Sequence, residues 1–295
     1  MLEKYILNTA CKNEADNLIQ LIDSVLSQTI TPLMWVIVDD GSTDDSRIII
    51  QKASADHEWI HYVFLDDAYK RDLGQHLAQV VQDGIDYAIS DCESKNVTYH
   101  FIGNLDADLT LPKTFFENLL YEFEKDSSLG IASGGLQLKR GDSFVYIDHL
   151  PNDEPSGGHM LIRKSCFEDC NGIPISKSFD SVLKAKARIK GWSTKRFEDN
   201  IATEKRDVFN AEGYWNGYVK YGESSYYLNF HPIHVFSKSV ICTFIYPYYI
   251  GFAFLLGYLK SFILFKEKIK DEEIKKYFWN KWKLAYARRI RRLKA

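Results

Sequence analysis

The chain has 295 residues, 45% hydrophobic and 26% charged, with a formal net charge of −3. That composition permits a real core, in one large α/β domain with an appendage or in two small domains. The charge is uneven: residues 271–295 hold nine Lys/Arg against three acids, a basic tail on an acidic body. The tail therefore suits an anionic partner, but its basic residues are gathered among aromatics and not across a folded face, which excludes nucleic-acid binding as the function.

The first elements alternate. Tyr5-Ile6-Leu7 is a short apolar run that reads as a buried strand, after a start with no signal peptide, so the compartment is expected to be cytoplasmic. Asn13 is placed to cap a helix whose apolar residues Leu18, Leu21, Ile22, Val25 and Leu26 follow at helical spacing. Trp35 to Val38 forms a second strand ending in Asp39-Asp40-Gly41-Ser42, and Thr43-Asp44-Asp45 opens a second helix with acids at its positive end. His61 to Phe64 is a third strand. Gly74 to Ile89 reads as a helix, Tyr99 to Ile102 as a fourth strand, and Pro112 suits the first turn of a helix over Lys113 to Lys125. The order βαβαβαβα predicts a mostly parallel, Rossmann-like sheet with helices on both faces. Such sheets bind ligands beyond the carboxyl ends of their strands, which would bring Asp39/Asp40 and Asp106/Asp108 to one crevice.

Beyond residue 130 the pattern is mixed, with strands over Ile131 to Leu138 and Phe144 to Ile147, a loop at Ser156-Gly157-Gly158-His159 and a helix over Phe179 to Ile189. The five cysteines are odd in number and scattered, so no disulfide framework is expected; Cys166 and Cys170, one helical turn apart, lack the second pair a zinc site needs.

Lys238 and Lys260 bracket 21 uncharged, mostly apolar residues. As one helix they would cover about 32 Å, enough for a bilayer core. Pro247 stands in the middle, flanked by Tyr246, Tyr248 and Tyr249, and tyrosine prefers the membrane interface. A bent segment lying in one leaflet fits better than a clean span. The next helix repeats Ile274, Phe278, Trp282 and Ala285 along one face with Lys and Arg on the other, the pattern of a helix on an anionic membrane surface. A core helix followed by a solvated basic tail is the other reading of this region.

Taken alone, Asp106-Ala107-Asp108 carries little weight, since 24 aspartates in 295 residues give about two such spacings by chance. An Asp-rich turn capping a helix accounts for it as well. Placement strengthens the other reading: after an apolar strand, two carboxylates offer hard oxygen ligands to Mg²⁺ or Mn²⁺, which keeps positions open for phosphates and neutralises charge on a departing diphosphate.

The stretches Thr9-Ala10-Cys11-Lys12-Asn13-Glu14-Ala15, Ser24 to Thr29, Val38 to Asp44 and Asn104 to Asp108, in that order, strongly resemble family 2 glycosyltransferases of the GT-A fold, closely over about residues 4–200. The resemblance implies a GT-A catalytic domain over 1–236, with a nucleotide-sugar half (1–110) and an acceptor half (111–236); the apolar and basic helices over 237–295 are expected to associate with the membrane. It implies a nucleoside-diphosphate-sugar donor of UDP or GDP type and a Mn²⁺ or Mg²⁺ cofactor. Asp40 would hydrogen-bond the base, with Thr9, Asn13 and Glu14 in the same pocket; Arg71 is similar to a basic residue near the nucleotide, its alternative being a solvated surface charge. Asp106 would face the ribose and metal side and Asp108 bind the cation. Ser178 to Leu183, followed by Arg188 and Gly191-Trp192, resembles the segment that supplies the catalytic base, which makes Asp180 the base unless it only caps its helix; the family often shows Glu-Asp where this chain has Phe-Asp. Gly157-Gly158-His159 resembles the acceptor-side loop. Where the family often carries His-x-Arg, this chain has Glu204-Lys205-Arg206. Glu204 would then complete the metal shell, or Asp108 and phosphates alone would hold the cation, and Arg206 would pair with the diphosphate.

The expected function is an inverting, metal-dependent glycosyl transfer at the cytoplasmic face of a membrane. The acceptor would be a saccharide, above all a lipid-linked one used in cell-surface polysaccharide or glycan assembly. Two rivals use similar parts. A sugar nucleotidyltransferase would need a Gly-rich basic loop where Asn8 to Lys12 stands, and a non-catalytic, membrane-attached nucleotide-sugar-binding module would leave the donor intact.

Overall fold

The computed structural model describes residues 4–65, 74–140, 143–147, 151–205 and 213–294. The chain divides into two compact units, Met1–Lys205 and Arg206–Ala295. The helix Tyr214–Tyr227 packs within the second unit.

The first unit runs β1 (Tyr5–Cys11), α1 (Ala15–Leu26), β2 (Met34–Asp39), α2 (Ser46–Asp56), β3 (Ile60–Phe64), α3 (Gln75–Ser94), β4 (Phe101–Leu105), β5 (Leu109–Thr110), α4 (Phe115–Lys125), β6 (Leu129–Arg140), β7 (Ser143–Tyr146), β8 (His159–Arg163), α5 (Lys164–Asp169), α6 (Phe179–Ile189) and β9 (Ser193–Glu204). The strands form one mixed sheet in the order β3-β2-β1-β4-β8-β6-β9-β5, with β7 beside β6. β1 to β4 are parallel, as the alternation predicted, and β8 runs antiparallel to β4. The chain winds outward from β1 through β2 to β3, then returns to lay β4 on the other side of β1. This reversal opens a crevice at the carboxyl ends of β1 and β4, where open α/β sheets take ligands.

Both faces of the sheet are covered, which is why β1, β2 and β4 read as continuous apolar runs instead of alternating ones. Tyr5, Leu7, Trp35, Ile37, Phe101 and Leu105 pack with α1, α2 and α4; Ile6, Val36, Val38, Ile102, Met160 and Ile162 pack with α3, α5 and α6. Each fully buried side chain of this size contributes about 1.5–3 kcal/mol relative to exposure. All five cysteines are buried free thiols.

The second unit contains α7 (Tyr214–Tyr227), α8 (Pro232–Cys242), α9 (Ile250–Ile263) and α10 (Glu272–Lys294). Tyr226, Val235, Phe254 and Tyr258 form its small core. α7 and α9 touch backbone to backbone: a Cβ on Gly222 would stand 2.0 Å from the Phe254 carbonyl oxygen, and one on Gly257 2.0 Å from that of Val219. The apolar stretch centred on Pro247 is therefore two helices joined by a turn. Among the described residues no helix is long and apolar enough to cross a membrane, because a proline cannot continue the helical hydrogen-bond ladder.

Candidate active site

Three loops at the carboxyl edge of the sheet are stitched together by short polar contacts. After β1 the chain turns at Asn13, whose φ of 56° lies in the left-handed region that Asn tolerates better than most residues. Its backbone N–H donates to Ser42 Oγ (2.8 Å), and its side-chain Oδ1 accepts from the Thr43 N–H (2.8 Å). Glu14 N–H donates to Ser46 Oγ and Ala15 N–H to Asp44 Oδ2. Asn13 therefore does not cap α1, whose first turn has no side-chain cap; it ties the β1–α1 turn to the β2–α2 turn. Glu14 is buried beside it, accepting from Asn17 Nδ2.

The adjoining aspartates at the end of β2 separate in role. Asp39 is fully buried; its carboxylate accepts from the Ser42 N–H and Arg47 Nε and so closes the turn. Asp40 is held by two side chains that the sequence reading did not single out, His76 Nε2 on Oδ1 at 2.7 Å and Lys12 Nζ on Oδ2 at 3.4 Å. His76 sits in the first turn of α3, and only the fold reveals that this turn lies beside β2.

Asp106-Ala107-Asp108 is clamped at both ends. The Asp106 N–H donates to the Gly158 carbonyl at 2.7 Å, and the Asp108 carbonyl accepts from the Lys205 N–H at 3.2 Å. Ala107 is buried between them, Asp106 is exposed and Asp108 half-buried. Asn104 donates from Nδ2 to the Gly157 carbonyl (2.9 Å), so the strand end grips the glycine loop twice. A Cβ on Gly158 would lie 2.4 Å from Asp106 Oδ2, and one on Gly157 would lie 2.7 Å from the Asp180 Cβ. The glycine pair thus separates two carboxylates 74 positions apart in sequence. Only hydrogen side chains allow that approach.

Asp180 stands in the first turn of α6, and that helix has no side-chain cap, so Asp180 is not its capping residue. One carboxylate oxygen, Oδ2, meets Lys184 Nζ at 2.9 Å; the side chain keeps an exposure of 30%.

Three assignments change. Thr9 is fully buried on the inner face of β1, and its hydroxyl accepts from Trp35 Nε1 (3.0 Å), so it is a core residue and lines no pocket. His159 is the first residue of β8, opposite Leu105, and it shares that residue's buried face. Its Nε2–H donates to the Gly134 carbonyl at 3.1 Å and its ring packs edge-on against Phe115. Burial pushes its imidazole down to about 4, and the nearby Arg196 adds to the effect. His159 supports the glycine loop from behind and does not reach an acceptor. Glu204 is buried at the end of β9, in register with Leu109. It does not close a three-ligand cluster with Asp106 and Asp108: among the described residues no group of three His, Cys, Asp or Glu is placed to hold a cation. Arg71 and Arg206 lie outside the described residues.

Asp106 and Asp108 remain as hard oxygen donors at the crevice. Carboxylate oxygens are the ligands that Mg²⁺ and Mn²⁺ take together with phosphate oxygens and water.

Residues 9–149 match the family model described as glycosyl transferase family 2. The poly-beta-1,6-N-acetyl-D-glucosamine synthase of Staphylococcus epidermidis is 24% identical over 136 residues, which are 46% of this chain and 29% of that protein. The chain therefore matches under a third of that relative's length. Among solved structures, S. aureus TarS 1–349 in complex with UDP superposes with a TM-score of 0.52 at 13% identity, over 73% of this chain and 63% of that one. The mannosyltransferase PcManGT from Pyrobaculum calidifontis, in complex with GDP-Man and Mn²⁺, gives 0.53 at 14% identity, over 85% and 68%. At these identities the two structures speak to the fold alone, which is α/β and GT-A-like.

Proposed function

We propose, from the premise that the chain belongs to glycosyl transferase family 2 and is a glycosyltransferase, that it moves a sugar from a nucleoside-diphosphate sugar to an acceptor hydroxyl with inversion at the anomeric carbon. The observation that carries this reading is the glycine pair Gly157–Gly158 lying between Asp106 and Asp180. A carboxylate on the diphosphate side and a carboxylate on the acceptor side, with a side-chain-free loop between them, is what a single displacement on a bound sugar requires.

Asp40, held by His76 and Lys12, receives the base of the nucleotide. Asp106 faces the ribose and diphosphate. The acceptor oxygen bonds to the anomeric carbon while its proton passes to Asp180. The bond from that carbon to the diphosphate oxygen breaks on the opposite face, and the nucleoside diphosphate leaves with the electron pair. Asp108, with Asp106, would hold the divalent cation, which when bound neutralises the charge of the departing diphosphate. Mn²⁺ in the PcManGT complex supports a divalent cofactor.

The second unit supports a membrane setting for this chemistry. No Asp or Glu occurs from residue 224 to 266, while Lys238, Lys260 and Lys266 do. In the same stretch Phe244, Tyr246 and Phe265 are 79%, 82% and 87% exposed. An apolar, aromatic and cationic surface of this kind suits a bilayer with anionic lipid, and a membrane-seated enzyme suits a lipid-linked saccharide acceptor.

The test is a panel of UDP- and GDP-sugars with Mn²⁺, read first by thermal shift and then by release of nucleoside diphosphate. At least one donor should raise the melting temperature and turn over. Asp108→Ala should abolish the metal-dependent turnover with the fold intact; full activity in that variant would overturn the metal role.

A further inference from the structure

Helix α6 carries more than the base. Residues 180, 184 and 188 recur at i, i+4 and i+8 and so share one face, and each meets the segment that leads into the glycine loop. Asp180 lies against Gly157. Lys184 Nζ donates to the Pro155 carbonyl at 2.9 Å. Arg188 Nη1 pairs with Glu154 Oε1 at 3.1 Å, and its guanidinium also donates to the Asp153 carbonyl. The segment 153–157 is thus fastened along α6 at successive helical turns.

Lys184 is the middle contact and the unusual one. Its side chain is 7% exposed, and a buried ammonium is costly unless paired and hydrogen-bonded. Both of its partners matter to the site: the Pro155 carbonyl, two residues before Gly157, and Asp180 Oδ2 at 2.9 Å. Among the described residues Lys184 is the one cation on the Asp180 carboxylate. It occupies Oδ2 and leaves Oδ1 for an incoming proton.

We infer that Lys184 is a positioning residue for glycosyl transfer: its ammonium grips the Asp180 carboxylate and the Pro155 carbonyl together, keeping base and acceptor loop in register. The inference rests on the reading of Asp180 as the base. An uncharged residue at 184 would let the carboxylate rotate and the loop drift, and misplacement of a reacting group by about 1 Å costs on the order of 100-fold in rate.

The test uses the full chain with Mn²⁺ and whichever of UDP-N-acetylglucosamine, UDP-glucose and GDP-mannose turns over fastest. Lys184→Met should lower kcat about 10- to 100-fold and leave the donor KM within about twofold. Hydrogen exchange over residues 153–158 should rise in the same variant. In an Asp180→Asn background, where turnover is already low, adding Lys184→Met should change kcat by less than about twofold, since the two residues act as one unit. The double variant also removes the buried charge that Asp180→Asn strands, so it keeps the comparison on folded protein. Unchanged kcat in Lys184→Met, with Asp180→Asn inactive, overturns the inference alone. An equal further loss in the Asp180→Asn background also overturns it, because Lys184 would then act independently of the base. Full turnover in Asp180→Asn overturns the base reading itself.

Discussion

Gly158 and Asp106 are in contact twice: the Asp106 N–H donates to the Gly158 carbonyl, and Asp106 Oδ2 occupies the space a Gly158 side chain would need, 2.4 Å from the position of a Cβ. The two requirements have different costs. The backbone bond survives a methyl group. The carboxylate does not keep its place, but it is the outer end of a side chain that can rotate away. Gly158→Ala should therefore displace the Asp106 carboxylate without disturbing the sheet. The expected result is a fall in turnover of about 10- to 100-fold with the melting temperature within about 3 °C of wild type. Equal turnover in Gly158→Ala would remove Asp106 from the reaction.

The Asp40 carboxylate tests the donor side. His76 and Lys12 each hold one of its oxygens, so removing either loosens the acid proposed to receive the base. His76→Ala should weaken binding of the nucleoside diphosphate, measured calorimetrically, by about 3- to 10-fold, the weight of one ordinary hydrogen bond, since it acts on the nucleotide only through Asp40. In an Asp40→Ala background, which should itself bind about 10-fold more weakly, His76→Ala should add little. Additive losses would mean that His76 contacts the nucleotide directly.

The positions of the candidate site's acidic strand ends were legible in the sequence, and the limits of that reading have physical causes. The parallel half reads directly, because strands buried on both faces are continuous apolar runs and their acidic ends stand out. The separation of Asp39 from Asp40 does not read, since adjacent acids at a strand's end differ only in the neighbours the fold brings to each. Thr9 and His159 went to the wrong side for a related reason: each lies in a run that fits the site by position, but each shares a face with core leucines, Leu7 and Leu161. Glu204 depends on the register of β9 against the two-residue strand β5, a long-range pairing with no local signal. Lys184 and His76 have no motif at all. Their roles come from helices that bring them beside Asp180 and Asp40.

His159 makes stability depend on pH. Its imidazole is held neutral down to about 4 in the native state, whereas an unfolded histidine takes up a proton near pH 6.5. Between those values the unfolded chain binds more protons, so stability falls as the pH drops from about 6.5 to 4 and levels off below. The contribution is at most about 1.4 kcal/mol per pH unit, roughly 3 kcal/mol over the window. His159→Gln keeps an N–H for the Gly134 carbonyl and cannot titrate. Urea unfolding at several pH values should give a flatter stability profile for the variant between pH 4 and 6.5. Parallel profiles for the two proteins would show that the buried imidazole is not the group responsible.

The proposed membrane setting makes its own prediction, about orientation. α9 has 14 residues, about 21 Å of helix, which is shorter than the roughly 30 Å hydrocarbon core. Exposed aromatics flank it at both ends, with Phe244, Tyr246, Tyr248 and Tyr249 before it and Phe262 and Phe265 at its close. Phe252, Leu256, Leu259 and Ile263 join them along one exposed face. A helix standing upright would need only one apolar end, whereas one lying flat in a single leaflet needs both ends and the face between. Phe244→Asp with Tyr246→Asp should then weaken sedimentation with vesicles containing anionic phosphatidylglycerol, and Phe265→Asp at the far end should weaken it as well. Each change should cost about 10-fold or more in partitioning, since a buried aromatic is worth about 1.5–3 kcal/mol. Turnover with a water-soluble acceptor should be unaffected in both. Loss confined to the Phe244 end would favour an upright insertion, and no loss at either end would mean that this face meets something other than lipid.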